Sequence, residues 1–456
     1  MIVVSYPHLS HLLSSSLRMD DIQTDDMQMD DNRPVLPTEL LHEIVDTVAE
    51  DDDATSTLTA LSQTNRAMRP RAQMHVYDTI KLEITDDDYI DELGRIHAAD
   101  PTVLADYPRS LILYSSRNSD GSWDWDEDLA DTPILETIIS QMRNLQLISF
   151  RGLNVGGRPF TDSFASPSMA QITRVELHHV ALSFRALNSF ISSPCLTDLF
   201  LAALHVEEYE ESYSEGTDFS APNCSLPQPQ SALRRPLEVL HLDILTASDF
   251  VIMDLIATSR YPIIAEDSLV RVNFSSNLTV HSQVPLFQRF LDCKAIKSAK
   301  MLRLGDHEGS FTDSDSTGYD PLRFDTFETV ELHVGISMEW DHYNPEFQWW
   351  ANSLSVVPAG SPLKKLYLFI TFHTIDPQAL ADVTMDVWDD LDDALCGDNL
   401  DLEHLAIEFS TSVALYREEE SAVKRWFFDC LPGTFEKYFT EGTRRNNGSL
   451  TFVSLN

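Results

Sequence analysis

The feature that most constrains the fold of this chain is a short apolar pattern that returns along most of its length. The pattern has the form apolar-x-x-apolar-x-apolar, and its second half alternates as a β-strand with one buried face does. Clear copies begin at residues 145, 172, 196, 237, 269, 327, 363, 402 and 450, and a weaker copy begins at residue 299. An internal repeat of this kind predicts stacked units of similar structure.

Helical segments separate many of these strands. Apolar residues recur at helical spacing in residues 134–145, 184–192, 249–259, 285–296, 346–356, 377–395 and 418–438. Strands that alternate with helices favour a parallel sheet with crossover helices, so the predicted fold class is α/β. The copies are irregularly spaced, by 24 residues between 172 and 196 and by 48 between 402 and 450. A compact α/β domain therefore remains an alternative to a solenoid.

In a solenoid, the variable residue between the last two apolar positions of each copy points away from the core. These residues would line the concave face and are candidates for partner contact, although each could equally be an ordinary solvent-facing residue of a strand. They are Ser149, Glu176, Phe200, His241, Asn273, Arg303, Glu331, Tyr367 and Ala406.

Three short helices are predicted ahead of the repeats. The first begins near Leu36, the second near Ser56, and the third runs from Pro70 to Tyr77, after which residues 79–84 predict a strand. Helices this short cannot bury their own apolar surface. One side should pack on the following domain, and the other is available to another protein.

The helical region resembles an F-box over residues 34–82. The resemblance is carried by LPTELLHEI at residues 36–44, LTALSQTNR at residues 58–66 and HVYDTI at residues 75–80. It implies that the helices bind the small adaptor Skp1 and join the chain to a cullin-RING ubiquitin ligase. The implied Skp1-binding residues are Leu36, Pro37, Leu40, Leu41, Ile44, Leu58 and Leu61. A helical cap on the domain behind is the alternative.

The remaining chain resembles a leucine-rich-repeat horseshoe with degenerate copies, an arrangement known to follow F-boxes. The expected organisation is an acidic disordered tail at 1–33, the F-box at 34–82 and a partner-binding repeat domain at 83–456. Acidic mobile loops are expected within the repeat domain at 115–131, 207–235 and 307–320.

Charge narrows the choice of partner. The chain has 32 Lys+Arg against 73 Asp+Glu, a formal net charge of −41. This balance opposes nucleic-acid binding, since no stretch of sequence forms a basic patch, and it could steer a basic protein toward the repeats. No apolar run approaches the roughly 20 residues that cross a bilayer, so no membrane partner is expected. Five scattered cysteines suggest a reducing compartment, the cytoplasm or nucleus.

No motif for catalysis, a cofactor or a metal ion emerges from the sequence. The segment from Asp313 to Phe324 begins like a calcium loop but lacks the glutamate at its twelfth position, and no phosphate loop or nucleophile elbow is present. The prediction is a non-catalytic substrate-recognition subunit of an SCF ubiquitin ligase. The alternative is a non-catalytic repeat scaffold for protein interaction that is independent of ubiquitin.

Overall fold

The computed structural model describes the helical region and most of the predicted strands. The predicted acidic tail, the helix expected at 418–438 and nearly all residues of the three acidic loops lie outside the described residues. The described residues are 36–51, 54–84, 105–115, 137, 139–155, 171–182, 186–187, 190, 195–206, 237–243, 252–253, 269–275, 283–305, 320–336, 345–372, 385–411 and 448–454.

Three helices open the described chain, as the sequence predicts. They are α1 at Thr38–Ala49, α2 at Ala54–Thr64 and α3 at Arg69–Tyr77. Pro37 precedes α1 with a φ of −52°, and its carbonyl accepts hydrogen bonds from the backbone N–H groups of Leu40 and Leu41 at 3.1 and 3.2 Å. Proline suits this position because it presets φ and lacks an N–H group that would need a partner.

Strands follow, joined in the later part of the chain by further helices, and the chain divides into two compact units. The first unit holds α1–α3 with β1 Thr79–Glu83, β2 Ser110–Tyr114, β3 Leu147–Arg151, β4 Arg174–His178 and β5 Ala181–Leu182. The short strand β7 is His205–Val206. The second unit holds β6 Asp198–Ala202, β8 Val239–Asp243, β9 Arg271–Phe274, α4 Gln283–Leu291, α5 Lys294–Lys297, β10 Met301–Leu304, β11 Thr329–Ile336, α6 Pro345–Ser355, β12 Lys365–Phe372, α7 Met385–Cys396, β13 His404–Thr411 and β14 Gly448–Ser454.

Within each unit the long strands are parallel and pair in the order of the sequence. The first unit pairs β1 to β4 in succession, and the second pairs β6 and then β8 to β14 in succession. A doubly wound sheet would reverse its strand order at a switch point. Neither unit shows such a reversal, so the described strands have the topology of a solenoid.

A recurring backbone hydrogen-bond pattern marks the start of each repeat. In the first unit, the carbonyl of Asp78 accepts hydrogen bonds from the N–H groups of Arg109 and Ser110 at 2.8 and 2.9 Å. Each equivalent carbonyl likewise accepts from two successive N–H groups of the next repeat, and these carbonyls belong to Arg109, Gln146, Thr197, Glu238, Val270, Lys300, Glu328 and Lys364. The repeats thus share one backbone geometry despite their unequal lengths.

The core lies on the inward side of the strands. The last two apolar positions of most successive copies pair in register, as in Leu240 with Val272 and Leu302 with Val330. The return helices pack on this side, where the rings of Phe274 and Phe287 lie 4.3 Å apart. The fold is therefore α/β, with three N-terminal helices followed by an irregular, leucine-rich-repeat-like array of parallel strands and helices. No helix in the described part of the chain combines the length and apolarity needed to cross a bilayer.

Candidate functional site

A stripe of exposed apolar side chains runs along helix α1. Leu36, just before the helix, and Leu40 and Ile44 within it are 51, 45 and 42% exposed. Residues four apart lie on the same face of a helix, so these three side chains form one ridge, called here the α1 ridge. Pro37 is also exposed beside it.

The opposite side of α1 is buried against the other two helices. Leu41 and Val45 join Leu58 of α2 and Met68 and Ala72 in one apolar cluster. Of the seven residues predicted to bind an adaptor, Leu36, Pro37, Leu40 and Ile44 are therefore exposed, and Leu61 is half-buried. Leu41 and Leu58 are 8 and 4% exposed, which places them beneath the ridge as its support.

A charged contact fixes the rotation of α1. The Arg71 guanidinium of α3 donates two hydrogen bonds to the Asp46 carboxylate, at 2.6 and 2.8 Å, and His75 Nε2 lies 2.7 Å from Asp46 Oδ1. The hydrogen bonds from Arg71, and then from His75, hold the pKa of Asp46 well below its usual range. Because Asp46 lies between the buried and exposed sides of α1, this contact keeps the α1 ridge facing outward.

The turn between α2 and α3 explains the polar residues of the LTALSQTNR motif. Asn65 Oδ1 accepts hydrogen bonds from the backbone N–H groups of Ala67 at 2.9 Å and Met68 at 3.3 Å. Arg69 Nε donates to the carbonyl oxygen of Ser62 at 3.0 Å, which ties the start of α3 to the end of α2. Asparagine favours such turns because its short side chain can bond the backbone two or three residues on.

The structure aligns the predicted face residues side by side within each unit. Ser149 pairs with Glu176 in the first unit. In the second unit the pairing runs in order through Phe200, His241, Asn273, Arg303, Glu331, Tyr367 and Ala406. The nine residues predicted one by one from separate copies therefore form continuous rows, called here the outward rows.

In the first unit, one buried carboxylate gathers three basic side chains. Glu176 is 8% exposed, and its oxygens lie 2.8 Å from Arg174, 3.4 Å from Arg151 and 3.6 Å from His178. Burial alone would raise the pKa of Glu176, but the neighbouring His178 and the charges of Arg174 and Arg151 outweigh it and lower the pKa to about 2. Glu176 is therefore ionised throughout the physiological range.

A second cluster lies in the second unit and has more positive than negative charge. Glu331 Oε2 is 3.4 Å from Arg271 and 4.0 Å from Arg303. Lys365 is exposed and lies two residues before Tyr367, in a second, neighbouring row of paired residues that also contains Arg271. These four residues, Arg271, Arg303, Glu331 and Lys365, are called here the Glu331 cluster.

The fold brings together basic side chains that no single stretch of the sequence contains. Arg271 and Lys365 are 94 residues apart in sequence (365 minus 271), so no local stretch contains both. In the parallel sheet only two strands, β10 and β11, separate the strand of Arg271 from the strand of Lys365. The sequence did contain a signal for this cluster. Arg271 and Lys365 each stand two residues before the predicted face residue of their copy, at another outward-facing position.

Flat rings flank the charged residues of the second unit. Phe200 stacks on His241 with ring centres 4.0 Å apart, and His333 stacks on Phe369 at 4.5 Å. His241 Nε2 also lies 3.1 Å from Ser275 Oγ. His333 is only 2% exposed and supports Phe369, whereas the half-buried rings of Phe200, His241 and Phe369 offer apolar contact area at little cost in side-chain entropy.

The arrangement supports binding by charge and packing. Within the described residues, no group of three or more His, Cys, Asp or Glu side chains could hold a metal ion. Glu176 and Glu331, the carboxylates at the centres of the two clusters, are each engaged by basic side chains. The outward rows are therefore a candidate protein-interaction surface, and the α1 ridge is a second.

Comparison with known proteins adds little to this assignment. No protein-family profile matches the chain, and no curated protein matches it. Among solved structures, the chain is similar to an internalin of Listeria monocytogenes, with 10% identity over 90% of this chain and 91% of that one and a TM-score of 0.24. A similarity with so low a TM-score supports no conclusion about the fold or the function of this chain. The strand register and the repeated hydrogen bonds define a leucine-rich-repeat-like protein, a class that commonly presents extended surfaces to protein partners.

Proposed function

We propose that this chain is the substrate-recognition subunit of an SCF-type ubiquitin ligase. Residues 34–82 serve as the F-box and bind Skp1, and residues 83–456 hold the protein to be modified. The chain performs no chemistry of its own. It raises the effective concentration of a substrate lysine near the charged ubiquitin-conjugating enzyme, which converts a bimolecular encounter into a local one.

The α1 ridge is the observation that carries the proposal. Leu36, Leu40 and Ile44 keep roughly half of their surface exposed, although the other side of α1 is tightly buried. About half of each side chain is already buried, so covering the rest stabilises a complex by about 0.7–1.5 kcal/mol for each side chain. A partner that covers the whole ridge gains the sum of these contributions. The ridge also lies within the residues that resemble an F-box.

The structure changes how the seven predicted adaptor-binding residues would act. The exposed Leu36, Leu40 and Ile44, with Pro37, would touch the adaptor directly. Leu41 and Leu58, which are buried, would instead hold the helices in place. Substituting them would destabilise the helical region, so a loss of adaptor binding could not be separated from a loss of folding.

Co-purification with Skp1 tests the proposal. The full chain, expressed with Skp1, should give a one-to-one complex by size-exclusion chromatography with light scattering. Leu40→Lys or Ile44→Lys should abolish the complex, because each places a charge in an apolar contact. Val356→Lys is the matched control, since Val356 is 44% exposed and lies just after α6, outside the helical region.

Either of two results would reject the proposal. One is a full chain with native circular dichroism that gives no complex with Skp1. The other is a complex that Val356→Lys weakens as much as Ile44→Lys does, which would show a non-specific apolar association.

A second candidate function is a protein-binding scaffold that acts without ubiquitin, with the helices as a cap on the first repeat. It is favoured by the backbone at Asp78, which directly follows α3 and already makes the repeat hydrogen bonds to Arg109 and Ser110. In that case Skp1 binding would be absent. A Leu58→Ala variant would then lower the thermal stability of the first strands together with that of the helices.

A further inference from the structure

We propose that the Glu331 cluster is the docking point for an acidic segment of a partner polypeptide. The inference rests on the proposed partner-binding role of the outward rows. It does not depend on the adaptor contact of the α1 ridge, so the two proposals can fail separately.

The local charge is opposite to that of the chain as a whole. Arg271, Arg303 and Lys365 contribute three positive charges and Glu331 one negative charge, which leaves a formal excess of two positive charges. Among the described outward-facing residues of β9 to β12, Glu331 is the single carboxylate. A chain with a net charge of −41 thus presents a cationic surface at this place.

The arginines are held in position before any partner arrives. Arg271 Nε donates to Asn273 Oδ1 at 2.7 Å, and another of its nitrogens lies 3.4 Å from Glu331. The side chains of Arg271, Arg303 and Glu331 are only 34, 25 and 16% exposed. A guanidinium that is already oriented loses less entropy when it binds a carboxylate, and its fork geometry suits two parallel hydrogen bonds.

The spacing of the cations suits an extended peptide. Arg271 and Lys365 lie three strands apart, which is roughly 14 Å at the usual distance between paired strands. Four residues of extended chain cover roughly the same distance, and every second side chain points to the same face. Acidic residues at alternate positions of a peptide can therefore meet Arg271, Arg303 and Lys365 together, beside the ring of Tyr367.

A polypeptide fits this surface better than a nucleic acid does. Nucleic-acid binding draws its affinity from many phosphate contacts, typically about six to ten, whereas the cluster offers three cations. A polyphosphate would also be repelled by the excess of carboxylates over the rest of the chain. A short acidic segment carries fewer negative charges, and three of them can pair with the three cations of the cluster.

Fluorescence anisotropy with the full chain tests the proposal. The probe is a fluorescein-labelled peptide of alternating Glu and Gly, measured near 0.15 M salt, where the Debye length of about 8 Å screens distant carboxylates. Saturable binding is expected, and Arg271→Gln or Arg303→Gln should weaken it about tenfold, the loss expected for one charge-assisted hydrogen bond. Arg323→Gln is the matched control, because Arg323 is an exposed arginine that pairs with Asp292, next to α4, at 3.0 Å.

The Glu331→Gln variant gives a readout that misfolding cannot imitate. Removing this carboxylate takes away the negative charge beside Arg271 and Arg303, so the acidic peptide should bind more tightly than it binds the natural chain. A variant that had lost its fold would bind more weakly.

Four results would overturn the proposal. They are no saturable binding up to about 1 mM peptide, equal weakening by Arg323→Gln and Arg303→Gln, weaker binding by Glu331→Gln, and tighter binding of a Lys-Gly peptide or a single-stranded oligonucleotide. Failure here leaves the adaptor proposal intact, because Arg303→Gln should not change co-purification with Skp1. Conversely, Ile44→Lys should not change the affinity for the peptide.

Discussion

Replacing Glu176 by Gln tests the electrostatics of the first unit directly. A carboxyl whose pKa falls from 4.5 in the unfolded chain to about 2 in the folded one stabilises the fold by about 3 kcal/mol at neutral pH. Arg174 is 51% exposed, so solvent screening reduces the expected value to about 2 kcal/mol. Glu176→Gln keeps the shape of the side chain and should lose that amount.

The pH dependence of this loss follows from the direction of the pKa change. Because the folded pKa of Glu176 is lowered, its stabilisation is complete above the unfolded value of 4.5 and disappears as the pH falls toward about 2. The free energy of unfolding, from urea denaturation followed by circular dichroism, is compared between the natural chain and Glu176→Gln. The difference of about 2 kcal/mol at pH 7 should fall to less than half near pH 3.

An exposed glutamate supplies the control. Glu328 is exposed and precedes β11, so Glu328→Gln should change the free energy of unfolding by less than about 0.5 kcal/mol. The reasoning is refuted if Glu176→Gln costs no more than this control. It is also refuted if the cost of Glu176→Gln stays constant between pH 7 and pH 3.

Four further variants test packing, backbone geometry and electrostatics by urea denaturation. Gly305→Ala should cost at least about 1 kcal/mol more than Gly360→Ala. Their φ angles are +83° and +85°, but a Cβ at Gly305 would lie 2.8 Å from the Cβ and carbonyl oxygen of His333, whereas a Cβ at Gly360 meets nothing within 4 Å. Equal costs would contradict this steric argument. Leu58→Ala should cost about 2–5 kcal/mol because it opens a cavity among the helices, and a smaller loss would show that the cluster can collapse. Asp46→Asn should cost about 1 kcal/mol at pH 7, and this cost should shrink only well below pH 4 because the pKa of Asp46 is lowered.

The sequence predicted most strands because their apolar anchors repeat, and it failed where an anchor differs in type. The strand β2 was missed since its copy begins with Pro108, a buried residue, in place of an aliphatic one. β1 was predicted as a strand but not as a repeat, since its first anchor is Tyr77, which is 8% exposed. Both copies become visible once buried proline and tyrosine are accepted at the first position.

The last copy shows the limit of pattern alignment. Matching its anchors to those of the preceding copy predicts Leu405 opposite Val453. The structure pairs Leu405 with Gly448, a shift of five residues (453 minus 448). Leu450 and Phe452 also alternate, so two registers satisfy the apolar pattern, and only the neighbouring strand selects between them.

The candidate sites were predictable in different degrees. The helical stripe that contains Leu40 and Ile44 follows from spacing alone, but the same stripe includes Leu41, whose burial depends on how α2 and α3 pack. The outward rows follow from the repeat. The charge excess around Glu331 does not, because it depends on which strands are neighbours and on positions that the repeat leaves free.

The constant register of the strands also bears on how such a protein changes over evolutionary time. In β10, Arg303 faces outward while Leu302 and Leu304 on either side are fully buried. A mutation at the outward position alters what the surface recognises and leaves the core untouched, and such surface changes usually shift stability by less than about 0.5 kcal/mol. Selection can therefore replace one partner by another, one strand at a time, while the scaffold is inherited unchanged.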